Sequence, residues 1–98
     1  MVQAWNDMQK GVEVKSAGYG RDVTICYNGL LDKSGADQVF IHTGYGLNWQ
    51  NTSTVKMDRT ARGWEKTFPM HTNQMAFCFK DSAANWDNNG GHNWIVSS

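Results

Sequence analysis

Two stretches of the chain hold large aromatic rings among polar residues, where core packing gives those rings little reason to lie. The first begins at Phe40 and ends on Trp49, which is flanked by Asn48, Gln50 and Asn51. The second runs from Asp81 to Trp94, and Trp86 lies in its middle with two alanines as its nearby apolar residues. A large apolar ring in such surroundings is the informative exception to normal burial. We therefore predict that Trp49 and Trp86 are exposed binding residues; the alternative is that each packs within its own loop.

His42 lies in the first stretch, on a run that reads as a strand. Alternation places Val39 and Ile41 on one face and Phe40 and His42 on the other, so His42 points outward if Ile41 points into the core. A pyranose ring has an apolar face of C–H groups and a rim of hydroxyls, which suit an indole and His or Asn side chains respectively. Two Trp rings set at an angle would suit the curved chain of an α-1,4-glucan, whereas flat cellulose would favour a coplanar row. An ordinary surface role for His42 remains the alternative.

Catalytic and metal chemistry find less support in the sequence. The carboxylates form no recognisable pair of the kind that glycoside hydrolysis requires, and no Ser or Cys lies in a nucleophile motif. A calcium site at Asp81, Asp87 and Asn89 is an alternative, but their spacing is not that of an EF-hand loop. We expect a non-catalytic protein with no cofactor and no metal, with a small hydrolytic enzyme as the minor alternative.

Length and charge narrow the possible partners. The chain has 98 residues, so we predict one domain over residues 1–98. Its 9 basic and 9 acidic residues cancel and leave no large basic patch, which argues against nucleic acid. No apolar run approaches the length of a membrane span, and the first ten residues lack the pattern of a signal peptide. The location stays open between a free-standing cytoplasmic protein and a module cut from a secreted chain.

The elements that must position these residues are short strands. Period-2 alternation recurs between polar, Gly-rich turns, and no helix of normal length is indicated. Seven or so such runs, the clearest being Val23–Tyr27 and Met75–Phe79, predict an all-β antiparallel sandwich. Trp64 and Trp94 open strand-like runs and are expected in the core. Cys26 and Cys78 read as two semi-buried thiols, with a cross-strand disulfide as the alternative.

Three segments together resemble the starch-binding carbohydrate-binding modules of family 25, and the related families 26 and 53 share much of the pattern. The segments are Val-Thr-Ile-Cys-Tyr-Asn-Gly at 23–29, Phe-Ile-His at 40–42 with a loop to Trp49, and the stretch from Ala76 to Trp94. Within the last one, Asn-Trp-Asp-Asn-Asn is the most specific part. The resemblance covers residues 23–96.

This resemblance implies an immunoglobulin-like sandwich that binds α-1,4-glucans such as starch, glycogen or maltooligosaccharides. It implies a platform made of His42, Trp49 and Trp86, with polar contacts from Asn88 and Asn89. Tyr45 is a further candidate. Such modules are usually appended to secreted amylases, so one option is that the chain is part of a longer amylolytic enzyme. The competing hypothesis is an immunoglobulin-like protein-interaction domain in which the exposed Trp rings are anchors.

Overall fold

A computed structural model of the chain describes residues 2–17, 22–45, 49–70 and 73–97. Asn48 and part of the loop predicted between His42 and Trp49 therefore lie outside the described residues. The elements in chain order are β1 Trp5–Asp7, β2 Val12–Ser16, β3 Asp22–Tyr27, α1 Leu30–Lys33, β4 Val39–Tyr45, β5 Gln50–Lys56, β6 Asp58–Thr60, β7 Gly63–Pro69, β8 Gln74–Asp81, β9 Trp86–Asp87, a 3-10 turn Asn89–Gly91, and β10 Trp94–Ser97.

The strands form two antiparallel sheets that face each other. The first sheet has the order β1-β2-β3-β7-β6, and the second has the order β10-β8-β4-β5, with β9 also paired to β8. Strands β2-β3-β7-β6 repeat the A-B-E-D order of the immunoglobulin fold, and β10-β8-β4-β5 repeat its G-F-C-C′ order. The predicted immunoglobulin-like β-sandwich is therefore confirmed, with β1 added outside β2.

Alternating residues of both sheets fill the core. Ile25 and Tyr27 of β3 meet Phe77 and Phe79 of β8, and all four are fully buried. The Tyr27 and Phe79 rings stack with their centroids 4.0 Å apart. The inward faces predicted for Val23–Tyr27 and Met75–Phe79 are therefore confirmed, and this register decides which side chains of the same strands point outward.

Trp64 and Trp94 belong to the same core, as predicted, with 3% and 4% of their surfaces exposed. Trp5 is partly buried against this core, and its ring centroid lies 6.3 Å from that of Phe77.

Several element bounds differ from the sequence prediction. Val55 and Lys56, where the sequence shows only a short strand-like pattern, are the end of a seven-residue strand, β5, which forms one edge of its sheet. Most of β5 is polar, so it lacks the apolar alternation on which the prediction relied. Strands β1, β6 and β9 are too short to show a period at all. The turn predicted at Asn28-Gly29 leads into α1, whose N-cap is Gly29. None of the helices in the described ranges is long and apolar enough to cross a membrane.

Candidate functional site

The outer face of the second sheet carries His42 at its centre. In β4, Ile41 is buried in the core, and the alternation that buries it turns Phe40 and His42 to the outside. The register places His42 opposite Thr54 of β5 on one side and Cys78 of β8 on the other. Nδ1 of His42 and Oγ1 of Thr54 share a hydrogen bond of 2.7 Å, which fixes the plane of the imidazole.

The imidazole of His42 lies between the two predicted indoles. Its centroid is 5.7 Å from that of Trp49, with the planes 16° apart, and 5.6 Å from that of Trp86, with the planes 85° apart. Because His42 is nearly parallel to one indole and nearly perpendicular to the other, the two indoles are steeply inclined to each other. The structure therefore brings His42, Trp49 and Trp86 together in one angular aromatic cluster.

Trp49 reaches this cluster because Gly44 leaves room for it. The structure extends β4 to Tyr45, so Gly44 lies within the strand and not in the loop expected from the sequence. A Cβ added at Gly44 would overlap Cε3 of Trp49 and lie 2.9 Å from Cδ2. The backbone of Trp49 has φ 51°, a left-handed conformation that bulky residues rarely adopt and that recurs at ligand-binding sites. The indole thus folds back onto the sheet over Gly44.

Trp86 is held at the edge of the same face by strand pairing. Trp86 was expected in a loop but forms the short strand β9 with Asp87, and it pairs with Lys80 of β8. Nearly half of its surface, 48%, is exposed. Nζ of Lys80 lies 5.5 Å from the centroid of the Trp86 ring and 5.7 Å from that of Phe40, so its charge bridges the two rings.

A tight turn precedes Trp86 and is organised by Asp81. Its Oδ1 accepts hydrogen bonds from the backbone N–H groups of Ala83 and Asn85, at 3.0 and 2.8 Å, and its Oδ2 accepts from Nδ2 of Asn85 at 2.9 Å. These bonds, that from the Asn85 side chain foremost, lower the pKa of the Asp81 carboxyl. The ionised carboxylate therefore fixes the path of the chain into β9.

The remaining candidates have structural contacts of their own. Oδ1 of Asn88 accepts a hydrogen bond of 3.0 Å from the N–H of Gly91, and Nδ2 of Asn89 donates one of 3.0 Å to the carbonyl of Asn93. Both amides therefore stabilise the turn between β9 and β10. Tyr45 is 8% exposed and packs with the core cluster.

Comparison with known proteins identifies the family of the chain. Residues 23–77, more than half of the chain, match the model of a starch/carbohydrate-binding module, family 53. The chain belongs to family 53. The match includes His42 and Trp49 and ends before Trp86. The resemblance to family 25 stays a prediction. No curated protein and no solved structure shows a significant match.

The family gives the general function. Family 53 modules bind carbohydrate without catalysing a reaction, so the partner of this module is a polysaccharide. The two carboxylates nearest to Trp86 have other partners: Asp81 bonds the turn, and Asp87 accepts a hydrogen bond of 2.6 Å from the hydroxyl of Tyr27. Within the described ranges, no group of His, Cys, Asp and Glu side chains could hold a metal ion.

The two cysteines of the family 53 module are free thiols. Cys26 lies on the outer face of the first sheet and Cys78 on the outer face of the second, so the core separates them and a disulfide between them is excluded. Both are nonetheless buried. Burial raises the pKa of the Cys78 thiol to about 11. The prediction of two separate thiols is confirmed, and both are more buried than expected.

Sequence reasoning missed four residues that shape the site. Gly44 was predicted in a loop, and its lack of space for a side chain beside Trp49 is visible only in the folded structure. Thr54 and Lys80 become neighbours of His42 and Trp86 through strand register, which a single sequence does not specify. Asp87 was considered as a calcium ligand, whereas its hydrogen-bond partner Tyr27 lies 60 residues away.

Proposed function

We propose that the module binds α-1,4-glucans (starch, glycogen and maltooligosaccharides) on the surface formed by His42, Trp49 and Trp86, and that it catalyses no reaction. The observation that carries the proposal is the steep angle between the two indoles, which follows from their contacts with His42. An α-1,4-linked chain curves, so consecutive glucose rings present their C–H faces in different directions. An angular pair of indoles matches that curvature, and a coplanar pair would match flat cellulose.

The polar groups of the surface suit the hydroxyl rim of glucose. Because Nδ1 of His42 is bonded to Thr54, the opposite ring nitrogen, Nε2, is the one that can reach a sugar hydroxyl. The ammonium of Lys80 lies beside Trp86 and can donate to a second hydroxyl. Asn88 and Asn89 support the surface through their turn, and direct sugar contacts from them stay a prediction. Tyr45 contributes through the core.

Stacking supplies most of the affinity in this proposal. By analogy with bases on aromatic side chains, each ring contributes about 1–3 kcal/mol. Two rings and a few hydrogen bonds then give a dissociation constant on the order of micromolar to millimolar.

Affinity electrophoresis tests the proposal. The module is run in native gels that contain soluble starch, glycogen, a mixed-linkage β-glucan or no polysaccharide. We expect retardation by starch and glycogen alone, lost in Trp86→Ala and strongly reduced in Trp49→Ala. Met8→Ala is the matched control, since Met8 is an apolar residue that is 80% exposed and lines a pocket with residues of the first sheet and its turns. Unchanged mobility of the native module in every gel would contradict the proposal and turn attention to a protein partner for the exposed rings.

A further inference from the structure

We propose that Tyr27 is a positioning residue for the glucan site: its hydrogen bond to Asp87, made through the sandwich core, holds Trp86 in its outward orientation. The inference rests on the proposed function, because it concerns how one of the binding rings is aimed. Tyr27 itself lies in the other sheet and is fully buried, away from the binding surface.

The hydroxyl of Tyr27 has two hydrogen-bond partners. The ring of Tyr27 stacks on Phe79, and its hydroxyl extends to 2.6 Å from Oδ2 of Asp87. The N–H of Leu31 donates to the same hydroxyl oxygen at 3.0 Å. A phenol has one proton to donate, so with Leu31 as donor to its oxygen, the Tyr27 proton points at Asp87. A neutral hydroxyl that donates to a carboxylate at this distance makes a strong, charge-assisted bond.

Strand alternation in β9 links the direction of the Asp87 side chain to that of Trp86. Asp87 pairs with Phe79, an inward residue of β8, and Trp86 pairs with Lys80, an outward residue. Consecutive residues of a strand point to opposite faces, so a bond that keeps Asp87 inward keeps Trp86 outward. A slip of one residue would exchange the two side chains.

The strand pairing of β9 is too short to hold its register by itself. The strand contains two residues, and the 3-10 turn that follows it is exposed at most of its positions. A ladder this short specifies its register weakly. The bond from Tyr27 ties β9 to β3 of the first sheet, and the Leu31 N–H ties the same hydroxyl to α1. The hydroxyl oxygen of Tyr27 therefore connects β3, α1 and β9 on the inner side of the sheet that carries Trp86.

The protonation state suits this role. Burial, followed by the hydrogen bond to Asp87, raises the pKa of Tyr27 well above its ordinary value. The phenol therefore stays a neutral donor over the whole pH range in which a glucan-binding experiment is run.

The test uses Tyr27→Phe, which removes the hydroxyl and keeps the ring against Phe79. Two quantities are measured on the whole module: the indole N–H signals in a ¹H–¹⁵N NMR spectrum, with that of Trp86 assigned from its loss in Trp86→Ala, and the affinity for maltoheptaose by calorimetry. We expect the Trp86 signal to move and broaden while those of Trp64 and Trp94 stay in place. We expect affinity to fall about tenfold, since the lost bond is charge-assisted.

Asp87→Ala is the second variant. It removes the same bond from the other side and leaves the Leu31 N–H bond to Tyr27 intact, so it separates the two contacts of the hydroxyl. It should reproduce both effects of Tyr27→Phe, and the double variant should add little to either. Should Tyr27→Phe fail to fold, Asp87→Ala decides the matter alone.

Asp32→Ala is the matched control. Oδ1 of Asp32 accepts a hydrogen bond of 3.1 Å from Nε1 of Trp64, which is another partly buried tether of α1. Its loss should lower stability without moving the Trp86 signal or the affinity. An unmoved Trp86 signal and unchanged affinity in Tyr27→Phe and Asp87→Ala would overturn the inference and leave the glucan site standing. If the native module bound no glucan, the proposed function would fail, and the Trp86 signal, which needs no ligand, would still decide the positioning role.

Discussion

His42 and Trp86 meet edge to face, with their ring centroids 5.6 Å apart and their planes at 85°. The two residues are brought together by the pairing of β4 with β8 and of β8 with β9, across three neighbouring strands. Trp49 arrives from the other side, on the hairpin between β4 and β5, and lies nearly parallel to His42. The imidazole therefore lies at the corner of an angular aromatic platform, in contact with both indoles.

Gly44→Ala should disable the Trp49 side of the platform. The new methyl group would overlap the indole of Trp49, so the ring must leave the sheet. We expect a loss of stability of about 1–3 kcal/mol from overpacking, and affinity for maltoheptaose as low as that of Trp49→Ala. Urea unfolding and calorimetry measure the two effects. In a Trp49→Ala background the same substitution should cost much less affinity, and an equal loss there would show that Gly44 acts through another residue.

Thr54→Val should weaken binding by releasing His42. The substitution keeps the shape of the side chain and removes the 2.7 Å hydrogen bond to Nδ1, so the imidazole is free to turn. We expect affinity to fall about threefold to tenfold, in line with about 1 kcal/mol for such a bond. Thr67→Val is the matched control because Thr24 and Thr67 share a bond of the same length on the first sheet. Equal losses of affinity in both variants would contradict the role of His42.

Cys78 should make the module less stable at alkaline pH. Its pKa is raised from 9.0 to about 11 in the folded state, so the unfolded chain loses the thiol proton first. The contribution of Cys78 is therefore complete below pH 9.0 and declines as the pH rises towards 11, by up to about 1.4 kcal/mol per pH unit. The difference in unfolding free energy between the native module and Cys78→Ala, measured in reductant at pH 8 and 10.5, isolates this effect. A difference that does not change with pH would refute it.

Trp94→Ala should destabilise the fold and leave the binding surface intact. Trp94 is buried against Phe77 and Phe79, at ring distances of 6.2 and 5.4 Å, and its removal opens a core cavity. We expect a loss of about 3–5 kcal/mol in thermal or urea unfolding. Nε1 of Trp94 has no hydrogen-bond partner among the described residues, so Trp94→Phe, which removes this buried N–H, should cost less. At a temperature where Trp94→Ala is folded, weakened glucan affinity would contradict the separation of core and site.

The sandwich could be predicted because the inward faces of β3 and β8 are written as strict alternation of large apolar residues. The same alternation predicted the outward direction of His42. The polar surroundings of Trp49 and Trp86 also predicted exposed rings; in the structure Trp86 is exposed, Trp49 is half-buried, and both contact His42. Local patterns of this kind predict the folded structure well, because the alternation of buried and exposed residues depends on each strand by itself.

The rest depends on contacts between distant parts of the chain. The alternating pattern predicted neither β9, which has two residues, nor the hydrogen bond between Tyr27 and Asp87, which lie 60 residues apart. The sugar contacts that the family resemblance implies for Asn88 and Asn89 stay a prediction, and the structure shows in addition that their amides bond their own turn. Tyr45 followed a glycine and suggested a loop, but β4 continues through Gly44 and buries the Tyr45 ring. Local sequence shows which groups are polar or aromatic, and only tertiary structure shows whether each group is already engaged.

Titration calorimetry with maltoheptaose and with cellohexaose measures whether the angular platform recognises a curved glucan. We predict that the native module binds maltoheptaose with a dissociation constant on the order of micromolar to millimolar and gives no heat with cellohexaose. Trp86→Ala, checked for folding by circular dichroism, should bind neither. Equal affinity for the two oligosaccharides, or undiminished maltoheptaose binding by folded Trp86→Ala, would contradict the account.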